Sequence, residues 1–437
     1  MKMRMLAILV LSLLGTMSRA DVVIQEVTSP GGINAWLVEE HSIPFTAIEI
    51  HFAGGSSLDL PGKRGATNLM VGLLEEGSGE MTAQDFQRER EALAASFTFD
   101  SYADGVTVSA KFLTENREAA TALLRQALVA PRFDQDAIDR VRGQVESILA
   151  SDARNPNRIA GATFYSAAFG DHPYGSDDKG TTETLAGLTQ DDIFVAYRNA
   201  LVRSRAVVSA VGDITPEELG VLIDQLLSGL PTEGPDLPQD VAFGVGGGVT
   251  VVPFDTPQSV ALFGHAGPKR DDPDFFAAYV LNTILGGNGL QSILMEEVRE
   301  KRGLTYGVYS YLVPKDHAEM WIGSVASAND KMAETMDVIL DNWARVATVG
   351  VSQEELDAAK TYLTGEYPLR FDGNEQIAGI MSGMQAEGLP IDYVVHRNDY
   401  INAVTLDDVM RVAQTWLNPE ALRFVVVGQP VGVTSTD

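Results

Sequence analysis

The sequence predicts an α+β protein built from two homologous mixed helix/sheet domains in tandem. Three observations carry that prediction. The segment at 188–193, Leu-Thr-Gln-Asp-Asp-Ile, returns at 404–409 as Val-Thr-Leu-Asp-Asp-Val, and at the same offset Leu201 meets Leu417, Val211 meets Val427 and Gly212 meets Gly428. A Pro/Gly-rich stretch, 231–238 followed by the glycines of 244–248, separates the two copies and has no helical or strand period. Each copy mixes helical and alternating apolar patterns. The reading is a domain at 21–231, a linker at 232–248 and a second domain at 249–437.

Residues 1–20 come first in the chain. Lys2 and Arg4 precede an apolar run from Met5 to Leu14, and Ser18-Arg19-Ala20 follows with small residues at its ends. This is the pattern of an export leader cut after Ala20. The run falls well short of the roughly 20 residues that span a bilayer. The expectation is a periplasmic protein with no membrane anchor. Leu69, Met70, Leu73 and Leu74 then recur at helical spacing. Asp104-Gly105 sits between the alternating stretches 97–102 and 106–112, a hairpin signal. Thr189, Thr215, Ser352 and Thr405 each precede an acidic residue at the third following position, the arrangement of a helix capping box. The apolar runs 207–211 and 424–427 suit buried strands. Gly244 to Gly248 lack a following Gly-Lys-Ser/Thr, so a flexible hinge is expected there and not a phosphate cradle. The polar tail 434–437 is expected to be disordered.

Composition excludes several function classes. The formal net charge of -28 leaves no basic footprint for nucleic acid or anionic lipid. There is no cysteine, which removes disulfides and thiolate metal sites. The six histidines, His41, His51, His172, His265, His317 and His396, are scattered, and none begins a helical metal motif. A Gly-x-Ser-x-Gly elbow with a matched His and acid is also missing, which argues against a serine hydrolase.

The corner at 296–306 carries the strongest functional signal. Residues 290–302 read as an amphipathic helix with Ile293, Leu294 and Val298 inward, stopped by Gly303 in a left-handed turn. Residues 304–313 then alternate as a strand. Arg299 falls in the last helical turn and Tyr306 just beyond the stop, so the spacing lets both reach one point. With Gly286-Gly287-Asn288-Gly289 before it, this corner resembles the Arg/Tyr substrate-clamping element of the pitrilysin/insulinase family of zinc peptidases, whose members include the mitochondrial processing peptidases. The segment 54–57 and 65–78 is similar to the stretch that carries the family's inverted zinc motif. Here, however, Asn68 and Gly72 stand at the two ligand histidines, and Val71 stands at the catalytic glutamate. The third ligand position falls near Ile148 or Leu149, with Glu146 two residues out of register.

The resemblance implies the LuxS/mitochondrial-processing-peptidase-like metallohydrolase fold in both domains. It also implies a specific division of labour. This chain would bind no metal and be inactive alone, as the non-zinc subunit of a bacterial heterodimeric peptidase. Arg299 and Tyr306 would bind the backbone of a peptide or unfolded polypeptide and act in catalysis. A homologous partner would bring the zinc motif and the zinc. The rival expectation is an inert scaffold or peptide-binding protein of the same fold.

Overall fold

The structure is a computed structural model and describes residues 23–436; the leader expected at 1–20 lies outside the described residues. Two sheets organise the chain. The first runs in the order Gln25–Thr28, Asn34–Glu39, Ala206–Gly212, Phe45–Ala53, Gly105–Leu113, Ser96–Ser101. The second runs Thr305–Pro314, Glu319–Ala328, Gln258–Ala266, Arg423–Gly428, Gly248–Pro253. Each contains one parallel pair, Asn34–Glu39 with Ala206–Gly212 and Gly248–Pro253 with Arg423–Gly428, and is otherwise antiparallel. Strand for strand the sheets match, the first having one extra edge strand. This is the repeat at 188–212 and 404–428 expressed as topology.

Alternation sorts the strand residues. In Phe45–Ala53, Ile48, Ile50 and Phe52 are buried and face helices whose apolar positions recur with helical period. Those helices include Ala66–Leu73, Arg117–Val129, Gln135–Asp152, Gln190–Ala200 and Pro216–Leu227. The second core is built alike around Trp321 and Trp343, both fully buried. All four expected capping boxes are present: Thr189 with Asp192, Thr215 with Glu218, Ser352 with Glu355 and Thr405 with Asp408. The expected hairpin pairs Ser101 with Val106 across its turn.

The opposite face of each sheet is covered by a helix from the other half. Pro156–Phe169 lays Ala160, Phe164, Ala168 and Phe169 on Met320, Ile322, Val425 and Val427 of the second sheet. Asn374–Ala386 returns the favour, placing Ala378, Met381 and Met384 on Trp36 and Val211 of the first. Gln385 anchors it there through Nε2 to the Val208 carbonyl at 2.9 Å and to Ser209 Oγ at 2.8 Å. The exchange makes each sheet's core depend on the other half of the chain.

Two segments differ from expectation. The 231–247 stretch has no regular element, yet it is docked and not a free hinge. Val241, Phe243 and Val245 pack beside Phe164 and Phe169, and the Val241 and Gly244 amides donate to the His317 and Ala168 carbonyls at 2.8 Å each. At Gly247 a Cβ would lie 1.9 Å from the Glu420 carbonyl oxygen, so only glycine permits that approach. The polar tail is likewise pinned. Thr436 and Ser435 hydroxyls accept from the Val249 and Val251 amides at 2.8 and 2.9 Å, which satisfies the free donors of an edge strand.

Candidate substrate-clamping corner and the lost metal centre

Helix Ala66–Leu73 occupies the place where the zinc motif is expected. Leu69, Met70, Leu73 and Leu74 are fully buried, and Val71 is 6% exposed. Val71 offers no acid or base where a catalytic carboxylate would stand. Asn68 is half-buried, and its Nδ2 is 3.4 Å from Ser101 Oγ. A Cβ at Gly72 would sit 3.0 Å from Val141 Cγ1 of helix Gln135–Asp152, so the neighbouring helix has closed onto the glycine. One to two turns further along that helix, near the third ligand position, Val145 is buried, Ile148 is exposed and Leu149 packs on the core. These residues do not fit zinc: the donor set is an amide, a valine, a glycine and aliphatic side chains. Among the described residues no group of three or more His, Asp or Glu is placed to hold a metal ion.

The other corner is built differently. The helix begins at Ile293, later than expected, after a short turn at Gly289–Gln291, and Met295–Glu300 is wound wide, as a π-helix. Its signature is the Lys301 amide donating to the Glu296 carbonyl at 2.9 Å. Ile293, Leu294, Met295 and Val298 point inward as expected. Gly303 ends the helix at φ +61°. Thr305–Pro314 follows as the edge strand of the second sheet, paired on one side only, with Glu319–Ala328.

That strand is not regular. Thr305 pairs with Ser327 and Val308 with Val325, so one extra residue is inserted at 306–307. Thr305 Oγ1 holds the bulge by donating to the Ala326 carbonyl at 2.6 Å and accepting from the Gly307 amide at 3.0 Å. The result throws Tyr306 outward: it is 86% exposed. The clue in the sequence was Gly307, a glycine inside a strand pattern.

The charges of 296–302 are sorted unequally. Lys301 Nζ lies 2.7 Å from Glu297 and 2.9 Å from Glu296, while Arg302 Nη1 lies 2.6 Å from Glu297. Lys301 first, then Arg302, holds the Glu297 carboxyl below its usual range. Arg299 is left with one loose contact, Nε to Glu300 Oε1 at 3.5 Å, at a half-exposed position. No hydrogen bond joins Arg299 to Tyr306, and neither lines the cleft that Tyr309 and Tyr311 border. The two residues stand on an open ledge at one end of a free sheet edge. Tyr309 and Tyr311, further along it, are 46% and 41% exposed.

Two tandem domains with matching sheets, a first-half helix without the zinc motif's ligand residues and an exposed Tyr306 on a free sheet edge in the second half define a peptidase-like fold. The chain belongs to the insulinase family, peptidase family M16. That family's model matches residues 35–181, and the model of the peptidase M16 inactive domain matches residues 187–363. The chain is similar to a protein of Helicobacter pylori named non-peptidase homolog YmxG, 27% identical over 403 residues, covering 89% of this chain and 90% of that one. It is also similar to an uncharacterized zinc protease of Mycobacterium leprae, 26% identical, covering 90% and 88% of the two chains. The crystal structure of a peptidase M16 inactive domain from Pseudomonas fluorescens superposes with a TM-score of 0.86 at 26% identity, covering 95% of this chain and 100% of that one. Among the described residues no helix is long and apolar enough to cross a membrane.

Proposed function

We propose that this chain is the non-zinc subunit of a two-subunit zinc metallopeptidase, in which it supplies Arg299 and Tyr306 to a peptide held at the partner's metal centre. The observation that carries the reading is the state of those two side chains. Lys301 and Arg302, close neighbours, are tied down by Glu296 and Glu297, whereas Arg299 keeps its donors nearly free and a bulge aims Tyr306 into solvent. Arg299 makes a single 3.5 Å ion-pair contact and Tyr306 is 86% exposed. A guanidinium and a phenol presented together suit the carbonyl oxygens of an extended peptide, and donors aimed at a developing oxyanion stabilise the transition state more than the ground state. The open strand edge beside them is suited to a peptide added as one more strand.

The metal and the general base belong, in this proposal, to a homologous subunit carrying the zinc motif. That subunit also closes a chamber over the ledge. The periplasm is the proposed compartment, on the strength of the leader pattern at 1–20. Names support the catalytic half of the reading: one similar chain is called a non-peptidase homolog, and another a zinc protease. The second reading, an inert scaffold or peptide-binding protein, draws on the exposure of Tyr306 and on the lack of a hydrogen bond joining it to Arg299. Co-purification from the native host with zinc analysis of each band separates the two. The peptidase reading expects a homologous zinc-bearing partner, and peptide cleavage only by the pair. Cleavage by this chain alone, or a stable pair with no activity on unfolded polypeptide, overturns it.

A further inference from the structure

The second half contains a cleft that the clamping corner does not use. It has a volume of about 310 Å³ and lies between helices Phe275–Asn282, Asn374–Ala386 and Tyr393–Ala403. That volume is at the lower end of the range of small-molecule sites. In a chain of net charge -28, three arginines converge on it: Arg270, Arg370 and Arg397.

The three are not equivalent. Arg270 Nε is paired with Glu387 at 2.8 Å, and Arg370 Nη2 with Glu366 at 2.7 Å. Arg397 is 3% exposed and makes no ion pair among the described residues; Glu387, the carboxylate that also lines the cleft, is engaged by Arg270. Its Nη1 donates to the Leu363 carbonyl at 2.6 Å and to Asn398 Oδ1 at 3.1 Å; among the described residues Nε and Nη2 make no hydrogen bond, and the residue lines the cleft. Its guanidinium stacks on the Tyr367 ring at 4.5 Å, and that of Arg270 on Phe275 at 4.4 Å. Stacking occupies the faces of a guanidinium and leaves the N–H edge free for a planar anion. A buried cation without a counter-charge is costly unless something anionic completes it. Aromatic and aliphatic side chains, Tyr279 and Ile380 among them, form the rest of the wall.

We propose that this cleft binds a carboxylate carried on an aromatic or aliphatic body, the chemistry of a peptide's C-terminal residue. The carboxylate meets the free edge of Arg397, with Arg370 beside it, and the apolar body lies along Tyr279 and helix Asn374–Ala386. That helix also covers the first sheet through its other face, so an occupant sits against the element that joins the two halves. This site is independent of Arg299, Tyr306 and any partner subunit.

The test is calorimetric titration of the isolated chain with N-acetyl-L-phenylalanine, its neutral amide and inorganic phosphate. The acid binds, the amide binds about tenfold more weakly or worse, and phosphate, lacking the apolar body, is also weaker. Arg397→Met abolishes discrimination between acid and amide. Because Arg397 also braces the Leu363 carbonyl, Gly383→Leu serves as the second variant. Gly383 lines the cleft, and a Cβ there meets no atom within 4 Å, so a larger side chain has room to grow into the space, with the melting temperature measured alongside to verify the fold. Loss of acid binding in folded Gly383→Leu supports the site. Equal binding of acid and amide, phosphate binding as tightly as the acid, no heat from the acid at millimolar concentration, or unchanged binding by Gly383→Leu each overturns it.

Discussion

Helix Ala66–Leu73 and the corner from Met295 to Tyr306 are the two segments that the sequence singled out, and they differ in how their side chains are placed. In the first, no position of the motif keeps a ligand or base: Val71 is buried, Asn68 is half-buried, Gly72 carries no side chain, and four neighbours are sealed in the core. In the second, apolar side chains pack below and polar ones stay at the surface. Met295 and Val298 are buried while Arg299 and Tyr306 stay open. A site with no remaining use has been absorbed into the core, whereas an exposed Tyr on a bulged free edge gains the fold nothing.

The sharpest way to break that comparison is a double dissociation. Leu73→Ala deletes fully buried methyl groups and should cost about 3 kcal/mol of stability, read by denaturant unfolding, without altering activity per folded complex. Tyr306→Phe and Arg299→Ala should leave the unfolding midpoint where it was and lower turnover of the assembled peptidase by about tenfold or more. If Tyr306→Phe melts the protein or leaves kcat untouched, the corner is structural and the contrast fails.

Reinstalling the metal motif probes the same difference from the other side. The triple substitution Asn68→His, Val71→Glu, Gly72→His restores the residue types but not the space. A carboxylate at position 71 lands where only 6% of the side chain is exposed, and the new Cβ at 72 meets Val141 at 3.0 Å. The expected result is a loss of roughly 2 kcal/mol from the buried polar group and no zinc retained after dialysis. Zinc bound at one equivalent would show that the helix had kept its ligand geometry.

How much of this was legible in the sequence depends on range. Capping boxes are local, and Thr189, Thr215, Ser352 and Thr405 announce their helices within four residues. The repeat is long but self-referenced, so the matching of the two sheets was readable. The metal site's loss was readable because it is a matter of residue type. What escaped depends on distant contacts. The exchange of helices Pro156–Phe169 and Asn374–Ala386 leaves no mark, because an apolar helix face does not say which sheet it will cover. The docking of 231–247 was hidden by its glycines and prolines, although Val241, Phe243 and Val245 alternate as a packed segment must. The bulge at Tyr306 needed the Thr305 hydroxyl's reach to Ala326, a contact across strands. Nothing local in the sequence marks Arg397, which is 3% exposed because three helices converge on it.

The smallest expected effects compare the two halves directly, through the capping boxes of the repeated segment. Asp408 accepts from Thr405 Oγ1 and its amide, and Asp192 does the same with Thr189. Hydrogen bonding to Thr405, then to Arg411, brings the Asp408 carboxyl down to about 2. Burial raises that of Asp192, but Lys63 and Thr189 outweigh it and the net shift is downward. A folded-state pKa below the unfolded value of about 3.9 stabilises the fold at neutral pH, and the contribution is lost as pH falls from about 4 towards 2. Asp408→Asn should therefore cost about 1 kcal/mol at pH 7, with the deficit against wild type closing below about pH 4. Asp192→Asn should cost somewhat more. Its carboxylate also holds Lys63 at 2.8 Å, and that lysine in turn donates to the Gly187 carbonyl at 3.1 Å, tying the loop before helix Ala66–Leu73 to the capped helix. Unfolding curves of both variants from pH 7 to pH 3 check the sign. Equal costs would mean that Lys63 adds no more at Asp192 than Arg411 adds at Asp408.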